Sequence, residues 1–144
     1  MTEPSKIPTI RDLMAQNPAT LDRNETLDIP DTIMNLGRIR HMPVVEDGRV
    51  VGILSQRDLF RSALIVALGF GRKTTSALIK TIRVKEVMTK PAITITADAA
   101  VSDAARLMIE KKIGCLPVVE NERLVGLITE TDILRSVVEC SIQR

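Results

Sequence analysis

Aromatic side chains are nearly absent from this 144-residue sequence, which has Phe60 and Phe70 but no Trp and no Tyr. Proteins that hold single-stranded nucleic acid usually stack its bases on aromatic side chains. We therefore expect no nucleic acid partner, and any planar ligand would be held mainly by aliphatic side chains.

A strong excess of one charge is also missing, because 20 Lys and Arg residues stand against 18 Asp and Glu residues, a net charge of +2. Adhesion to nucleic acid or to anionic lipid depends on a clear positive excess. The opening segment, MTEPSKIPTI, does not resemble a signal peptide, and the most apolar stretch, residues 63–71, is too short to cross a bilayer. We expect a cytoplasmic protein without a membrane partner.

Metal-binding and catalytic residues are scarce. Cys115 and Cys140 are the only cysteines, they form no CxxC motif, and His41 is the only histidine. We expect buried free thiols rather than a disulfide or a zinc site. One histidine and carboxylates on surface helices do not assemble a catalytic constellation, so we expect that the protein is not an enzyme.

An internal repeat organises the sequence: residues 10–62 align without a gap with residues 84–136, at a constant offset of 74. The identities concentrate in two stretches, MPVVEDGRVVGILSQRDLFRS in the first copy and LPVVENERLVGLITETDILRS in the second. We divide the chain into a first repeat at residues 7–67, a linker at 68–81 and a second repeat at 82–140.

The first repeat predicts a strand, a helix, two further strands and a second helix. Residues 19–22 are extended, Asn24 caps the first helix, Pro30 lies in its first turn, and Gly37 ends it. Its apolar positions recur at roughly helical spacing. They are Leu27, Ile29, Ile33, Met34 and Leu36.

Two β-branched runs follow at 42–46 and 50–54, and the turn residues Asp47 and Gly48 between them predict a hairpin. Ser55 then caps the second helix. The second repeat gives corresponding predictions: a cap at Asp98, a helix at 100–112, a turn at Asn121 and Glu122, and a cap at Thr129. In the linker we predict a short helix at 76–80.

A repeat of ~50 residues buries little apolar surface by itself. We therefore predict an α/β (α+β) fold in which tandem βαββα repeats pack sheet to sheet with pseudo-two-fold symmetry. Such symmetry would create two equivalent clefts between the repeats.

A helix N-terminus is expected at the edge of each cleft. In the first repeat Gly52 leaves room for a ligand, Ser55 caps the helix, and Asp58 can accept two hydrogen bonds from a vicinal diol such as a ribose. A capping box alone would also explain the Ser and the Asp. The recurrence of the pattern at matched positions favours ligand binding. The matched residues of the second repeat are Gly126, Thr129 and Asp132.

The double pattern has a known counterpart. Each repeat has P-V-V-E, a turn, V-G and [ST]-x-x-D in this order, preceded by a helix and by R-D-L-M or K-E-V-M. This double pattern resembles the cystathionine beta-synthase (CBS) domain family, whose paired copies form a Bateman module. The resemblance covers about residues 7–140. It implies a regulatory module that binds AMP, ADP, ATP or S-adenosylmethionine in clefts between the repeats and signals to a partner protein by changing its conformation.

The resemblance also implies which residues would line the clefts, with Ile39 or Ile113 against the adenine and the two aspartates on ribose hydroxyls. The first cleft would combine Thr20, Ile39, Arg40, His41 and Met42 with Thr129 and Asp132. The second would combine Thr94, Ile113, Gly114, Cys115 and Leu116 with Ser55 and Asp58.

The two clefts differ in charge, because Gly114 and Cys115 stand where the first repeat has Arg40 and His41. Arginine beside histidine suits a phosphate, so we expect the first cleft to prefer phosphorylated ligands and the second to be weaker or more apolar. A single histidine seldom has a special role, so the sequence by itself favours His41 as a partly exposed strand residue over a ligand contact. Arg61 and Arg135 could reach a phosphate or could lie on a solvated helix face.

A homodimer is expected, since the second helices carry more apolar residues than one small module can bury. These are Leu59, Phe60, Ala63, Leu64, Ile133, Leu134, Val137 and Val138. The alternative function is a scaffold with empty clefts, used for dimerisation or for docking another protein. The sequence does not name the client protein.

Overall fold

The computed structural model describes residues 7–37, 39–70 and 77–142. Both repeats follow the predicted order of strand, helix, strand, strand and helix, so the mixed α/β fold is confirmed. A short helix precedes the first strand of each repeat. In chain order the elements are α1 (Ile10–Leu13), β1 (Ala15–Gln16), β2 (Leu21–Asp22), α2 (Asp28–Gly37), β3 (His41–Glu46), β4 (Arg49–Ser55), α3 (Gln56–Phe70), α4 (Val84–Val87), β5 (Ile95–Thr96), α5 (Val101–Lys111), β6 (Cys115–Glu120), β7 (Arg123–Thr129) and α6 (Glu130–Ile142).

The chain forms two compact units that do not coincide with the sequence repeats. Unit I comprises residues 19–92, and unit II comprises residues 7–18 together with residues 93–142. Each unit therefore contains most of one repeat and the segment that precedes the other. We call these segments arm 1 (residues 9–16, in unit II) and arm 2 (residues 83–90, in unit I).

Unit I has a three-stranded sheet in the order β2-β3-β4. β2 runs parallel to β3, and β3 and β4 form the predicted antiparallel hairpin. Its turn residues Asp47 and Gly48 have φ of 52° and 80°, the left-handed conformation that a tight hairpin turn requires. Arm 2 lies along β4, because the main chains of Thr89 and Ile53 exchange two hydrogen bonds of 2.9 and 3.1 Å.

Unit II has a four-stranded sheet in the order β1-β7-β6-β5. Its hairpin repeats the first, with Asn121 and Glu122 at φ of 50° and 66°. Here arm 1 supplies a complete strand, since β1 pairs with β7 through Ala15 and Leu127. The arms thus occupy equivalent edges of the two sheets.

Each core contains one fully buried residue from an arm: Ile10 in unit II and Val84 in unit I are both 0% exposed. Burial of a side chain of this size contributes about 1.5–3 kcal/mol. The core of unit I comprises Leu21, Leu27, Met34, Met42, Val44, Leu54, Leu59 and Val84. The core of unit II comprises Ile10, Ile95, Ala97, Ala104, Met108, Leu116, Val118 and Ile128.

The predicted start of the first helix is wrong, because α2 begins at Asp28 and Asn24 lies in a turn. The reason is the contact with arm 2. The carbonyl of Glu25 accepts a hydrogen bond from the N–H of Val84 (2.8 Å), and that of Arg23 accepts one from Lys85 (2.9 Å). These carbonyls are therefore bonded to the arm instead of to a helix turn.

Other helix boundaries differ by small amounts. In the second repeat Ala100, not Asp98, is the N-cap of α5. The helix α3 continues to Phe70, beyond the predicted start of the linker. Of the short helix predicted at 76–80, Ala77 and Leu78 are helical, whereas Ile79 and Lys80 lie in a turn. Ser76 lies outside the described residues. Across the part of the chain that the structure describes, none of the helices combines the length and apolarity that a bilayer crossing requires.

Candidate functional site

A capping box begins α3 in unit I. The hydroxyl of Ser55 accepts a hydrogen bond from the N–H of Asp58 (3.0 Å), and the carboxylate of Asp58 accepts one from the N–H of Ser55 (3.2 Å). Both side chains are half-buried. The capping interpretation of this pair is therefore confirmed, and any ligand would have to share the carboxylate with the helix cap.

The same arrangement begins α6 in unit II. One carboxylate oxygen of Asp132 accepts hydrogen bonds from the N–H and the hydroxyl of Thr129, at 2.9 and 3.1 Å. The other oxygen lies 3.7 Å from the guanidinium of Arg135. Arg135 is exposed, and so is Arg61 in unit I, as expected for a solvated helix face.

The sheet brings each capping box next to the strand that begins the hairpin of the same repeat. Ser55 pairs with His41, and the N–H of Gln56 donates to the carbonyl of Arg40 at 2.8 Å. In unit II, Thr129 pairs with Cys115. Gly114 is held in the same way as Arg40, since its carbonyl accepts a hydrogen bond of 2.9 Å from the N–H of Glu130, the first residue of α6.

The sequence-based grouping, which places Arg40 and His41 in one cleft and Ser55 and Asp58 in the other, stays a prediction. The end of β4 and the start of β3 meet because a hairpin returns the chain to where it began. Within unit I, Arg40 and His41 therefore lie at the same end of the sheet as Ser55 and Asp58. Within unit II, Gly114 and Cys115 lie at the same end of the sheet as Thr129 and Asp132.

The two predicted threonines lie at the same ends of the sheets. Leu21 pairs with Val44 in parallel register, so Thr20 is near the start of β3, where the capping box of unit I lies. Ile95 pairs with Val118 in the same way and places Thr94 near the start of β6. Both threonines are exposed.

Two of the apolar residues that were predicted to contact a ligand belong to the cores of units I and II. Met42 and Leu116 are 0% exposed, so neither residue offers surface to a ligand. Ile39 and Ile113 are half-buried and pack against the cores of units I and II. They retain some exposed surface for a ligand.

The two glycines that were expected to leave room for a ligand instead accommodate the arms. A Cβ on Gly52 would be 2.6 Å from the sulfur of Met88, and one on Gly126 would be 2.5 Å from the sulfur of Met14. Both distances are too short for a Cβ contact. The prediction of a ligand approach at these glycines is therefore wrong, and the space there holds a methionine side chain.

The residues around the capping box of unit I differ in charge from those around the capping box of unit II. Arg40 is exposed beside the capping box of unit I. In unit II Gly114 takes the place of Arg40, and the next residue, Cys115, is a buried free thiol, as predicted. Burial, and then the negative charge of Asp132, raise the pKa of Cys115 from 9.0 to about 12. The side chain of Cys140 lies outside the described residues.

A pocket of about 210 Å³ opens beside Asp132 in unit II. Sequence reasoning missed four of its six lining residues, because two come from arm 1 and two from later turns of α6. The lining residues are Asp12, Leu13, Asp132, Arg135, Ser136 and Glu139. Among the described residues no cluster of His, Cys, Asp and Glu has the composition of a metal site.

The family model of the CBS domain matches residues 10–64 and 84–139. The chain belongs to the CBS domain family. A CBS domain-containing protein of Dictyostelium discoideum is 30% identical over 127 residues, which cover 87% of this chain and 88% of that protein. The chain spans only 24% of a longer relative, a homoserine O-acetyltransferase of Methanohalobium evestigatum to which it is 30% identical.

Solved CBS structures share the fold. The CBS domain pair of protein MJ0100, in complex with 5′-methylthioadenosine and S-adenosyl-L-methionine, has a TM-score of 0.76 and 28% identity, and the match covers 93% of this chain and 98% of that one. CBSX2 in complex with AMP has a TM-score of 0.75 and 26% identity, with 94% and 98% covered.

Proposed function

We propose that this CBS protein is a regulatory module that binds adenosine-containing ligands, with AMP, ADP, ATP and S-adenosylmethionine as the candidates, and that ligand binding changes its conformation and its affinity for a partner protein. It acts without catalysis, in the cytoplasm. The observation that carries the proposal is a half-buried carboxylate held in a helix-capping box at the sheet end where the hairpin of the same repeat begins, present in both units.

The chemistry of these groups suits an adenosine. A carboxylate accepts both hydrogen bonds of a vicinal diol, and Asp58 and Asp132 are fixed in place by their helix caps. Ile39 and Ile113 each offer an aliphatic surface for a base. The ligands in the MJ0100 and CBSX2 structures are adenosine compounds, which supports the same ligand class for this relative.

The two sites take different ligands under this proposal. Arg40 and His41 lie with Asp58 in unit I, and a guanidinium there favours a phosphate group. Unit II has Gly114 and Cys115 at these positions. The phosphorylated ligand is therefore assigned to Asp58, whereas the sequence-based grouping assigned it to Asp132.

Thermal unfolding with a ligand panel tests the proposal. A ligand present at 100 times its dissociation constant stabilises the folded state by about 2.7 kcal/mol, which raises the melting temperature by several degrees. We expect at least one of AMP, ADP, ATP and S-adenosylmethionine to do so, while GMP and CMP serve as controls. No shift with any adenosine compound at millimolar concentration would contradict the proposal and favour the scaffold.

A homodimer is the second part of the proposal, and exposed apolar side chains support it. Phe60 and Leu68 on α3 are 67% and 81% exposed, and Leu134 and Val137 on α6 are 64% and 58% exposed. Such surfaces are usual at protein interfaces. Light scattering should give twice the 15.9 kDa chain mass for the wild type and a single chain mass for Phe60→Glu with Leu134→Glu. A monomeric wild type would contradict the dimer.

A further inference from the structure

The sulfur atoms of Met14 and Met88 pack against a glycine at the sheet edge where each arm is attached. A Cβ on Gly52 would be 2.6 Å from the Met88 sulfur, and one on Gly126 would be 2.5 Å from the Met14 sulfur. Each methionine directly follows the short helix of its arm. The thioether therefore fastens the end of each arm to the central hairpin of the unit that the arm joins.

These two methionines are also the accessible ones among the methionines that the structure describes. Met14 and Met88 are half-buried and pack against the cores of units II and I. The three buried methionines, at 2%, 0% and 7% exposure, are Met34, Met42 and Met108. Met1 lies outside the described residues. An oxidant in solution therefore reaches the arm methionines before it reaches the methionines of the cores.

Oxidation of a methionine by a hydroperoxide adds one oxygen atom to the sulfur. A sulfur lone pair attacks one peroxide oxygen, and an S–O bond forms as the O–O bond breaks. The proton of the transferred oxygen passes to the departing hydroxide, which leaves as water. The sulfur is oxidised by two electrons and the peroxide is reduced by two. The product, methionine sulfoxide, is larger and more polar than the thioether, and reductases convert it back.

The contact between sulfur and glycine cannot accept this oxygen in either unit. No atom fits between the Met88 sulfur and Gly52, because even a Cβ there would be too close. The main-chain oxygen that borders each contact belongs to Thr89 in unit I and to Ala15 in unit II. A carbonyl oxygen accepts hydrogen bonds and cannot donate one to a sulfoxide. A half-buried sulfoxide without a donor is destabilised, so the oxidised side chain moves to solvent and the end of the arm moves with it.

We propose that Met14 and Met88 are oxidation sites, and that hydroperoxides reversibly release the ends of the two arms, residues 14–16 and 88–90, from the sheet edges. In unit I the main-chain attachment at this edge is the pair of hydrogen bonds between Thr89 and Ile53. The start of each arm stays anchored, since Ile10 and Val84 are 0% exposed in the cores. Oxidation thus frees one edge of each hairpin without unfolding the units.

Timed exposure of the folded chain to hydrogen peroxide, followed by peptide mass spectrometry, tests the selectivity. We expect Met14 and Met88 to gain an oxygen atom about tenfold faster than Met42 and Met108. In the chain unfolded by urea the four residues should react at equal rates, because their exposure is then the same. Oxidation of Met42 in the folded chain as fast as that of an arm methionine would overturn the site in that arm.

Amide hydrogen exchange of the oxidised chain tests the release. We expect the amides of Thr89 and Ile53 to exchange about tenfold faster after oxidation, and treatment with methionine sulfoxide reductases to restore the original rates. The amide of Val84, which donates to the carbonyl of Glu25 at 2.8 Å, should keep its protection. Unchanged exchange at Ile53 in a chain oxidised at Met88 would overturn the release.

Met88→Leu is the matched control, because leucine is apolar, has a similar volume and cannot form a sulfoxide. In this variant peroxide should leave exchange at Ile53 unchanged and still accelerate exchange in β7, beside the intact Met14. Faster exchange at Ile53 in oxidised Met88→Leu would mean that oxidation of another residue releases the arm, and would overturn the proposal. The wild-type measurements with and without the reductases decide the proposal even if this variant does not fold.

Discussion

The sulfur of Met88 occupies the position that a side chain on Gly52 would need: a Cβ there would be 2.6 Å from that sulfur and 3.0 Å from the carbonyl oxygen of Thr89. Met14 and Gly126 have the same relation in unit II. Each arm is thus fitted against a glycine on the central hairpin of the unit that it joins. This contact explains why both the methionine and the glycine recur in the repeats.

Gly52→Ala should therefore destabilise the protein by about 1–3 kcal/mol, since the added methyl group displaces Met88 or the main chain of Thr89. Gly69→Ala is the control. Nothing lies within 4 Å of a Cβ on Gly69, and alanine in α3 should stabilise by about 0.5–1 kcal/mol. Urea unfolding measures both. A Gly52→Ala protein as stable as the wild type would show that the arm does not require the glycine.

Ile10→Ala should destabilise the protein by about 2–5 kcal/mol, because Ile10 is 0% exposed in the core of unit II. Ile7→Ala is a matched control, since Ile7 is 81% exposed and its loss should change stability by less than about 0.5 kcal/mol. Amide hydrogen exchange locates the effect. Ile10→Ala should weaken protection in β6 and β7, and loss of protection confined to β3 and β4 would contradict the assignment of arm 1 to unit II.

Glu122→Gly should stabilise the protein by about 0.5–1 kcal/mol, because Glu122 has a φ of 66°, a conformation that costs side chains with a Cβ more than it costs glycine. The first repeat already has Gly48 at this position. Asn121→Gly provides the comparison, since asparagine tolerates a φ of 50° well and the gain should be smaller. Thermal unfolding of the two variants checks the order, and a larger gain from Asn121→Gly would contradict it.

Stability should fall above pH 9 because of Cys115. The pKa of Cys115 is about 12 in the folded state and 9.0 in the unfolded chain, so the unfolded chain releases the thiol proton first as the pH rises. The contribution of Cys115 to the free energy of unfolding is constant below pH 9 and declines between pH 9 and pH 12. Between pH 8 and pH 10 the loss should be about 1.4 kcal/mol.

Urea unfolding of the wild type and of Cys115→Ala at both pH values isolates this effect, because every other titrating group is common to the two proteins. We expect the wild type to lose about 1.4 kcal/mol more than the variant. An equal loss in both proteins would mean that the thiol is not protected in the folded state.

The features that could be predicted from the sequence are local ones. The hairpin turn at Asp47 and Gly48 and the cap at Ser55 depend on residues a few positions apart, and both are present in the structure. The repeat then extended these predictions to the second copy. The family could be recognised because its motifs are equally local.

The features that could not be predicted depend on distant contacts. Hydrophobic periodicity does not show that Ile10 is buried among residues of the second repeat. The predicted start of α2 is wrong because arm 2 donates hydrogen bonds to the carbonyls of the turn that precedes this helix. The position of Arg40 at the same sheet end as Asp58, in contrast, follows from the hairpin and could have been derived from the sequence.

Titration calorimetry with AMP on folded Asp58→Ala and Asp132→Ala tests the central claim most directly, namely that each ligand site combines a capping box with the hairpin start of the same repeat. We predict that Asp58→Ala weakens AMP binding at least tenfold and that Asp132→Ala changes it less than threefold. The claim is contradicted if Asp132→Ala abolishes AMP binding while Asp58→Ala binds AMP like the wild type.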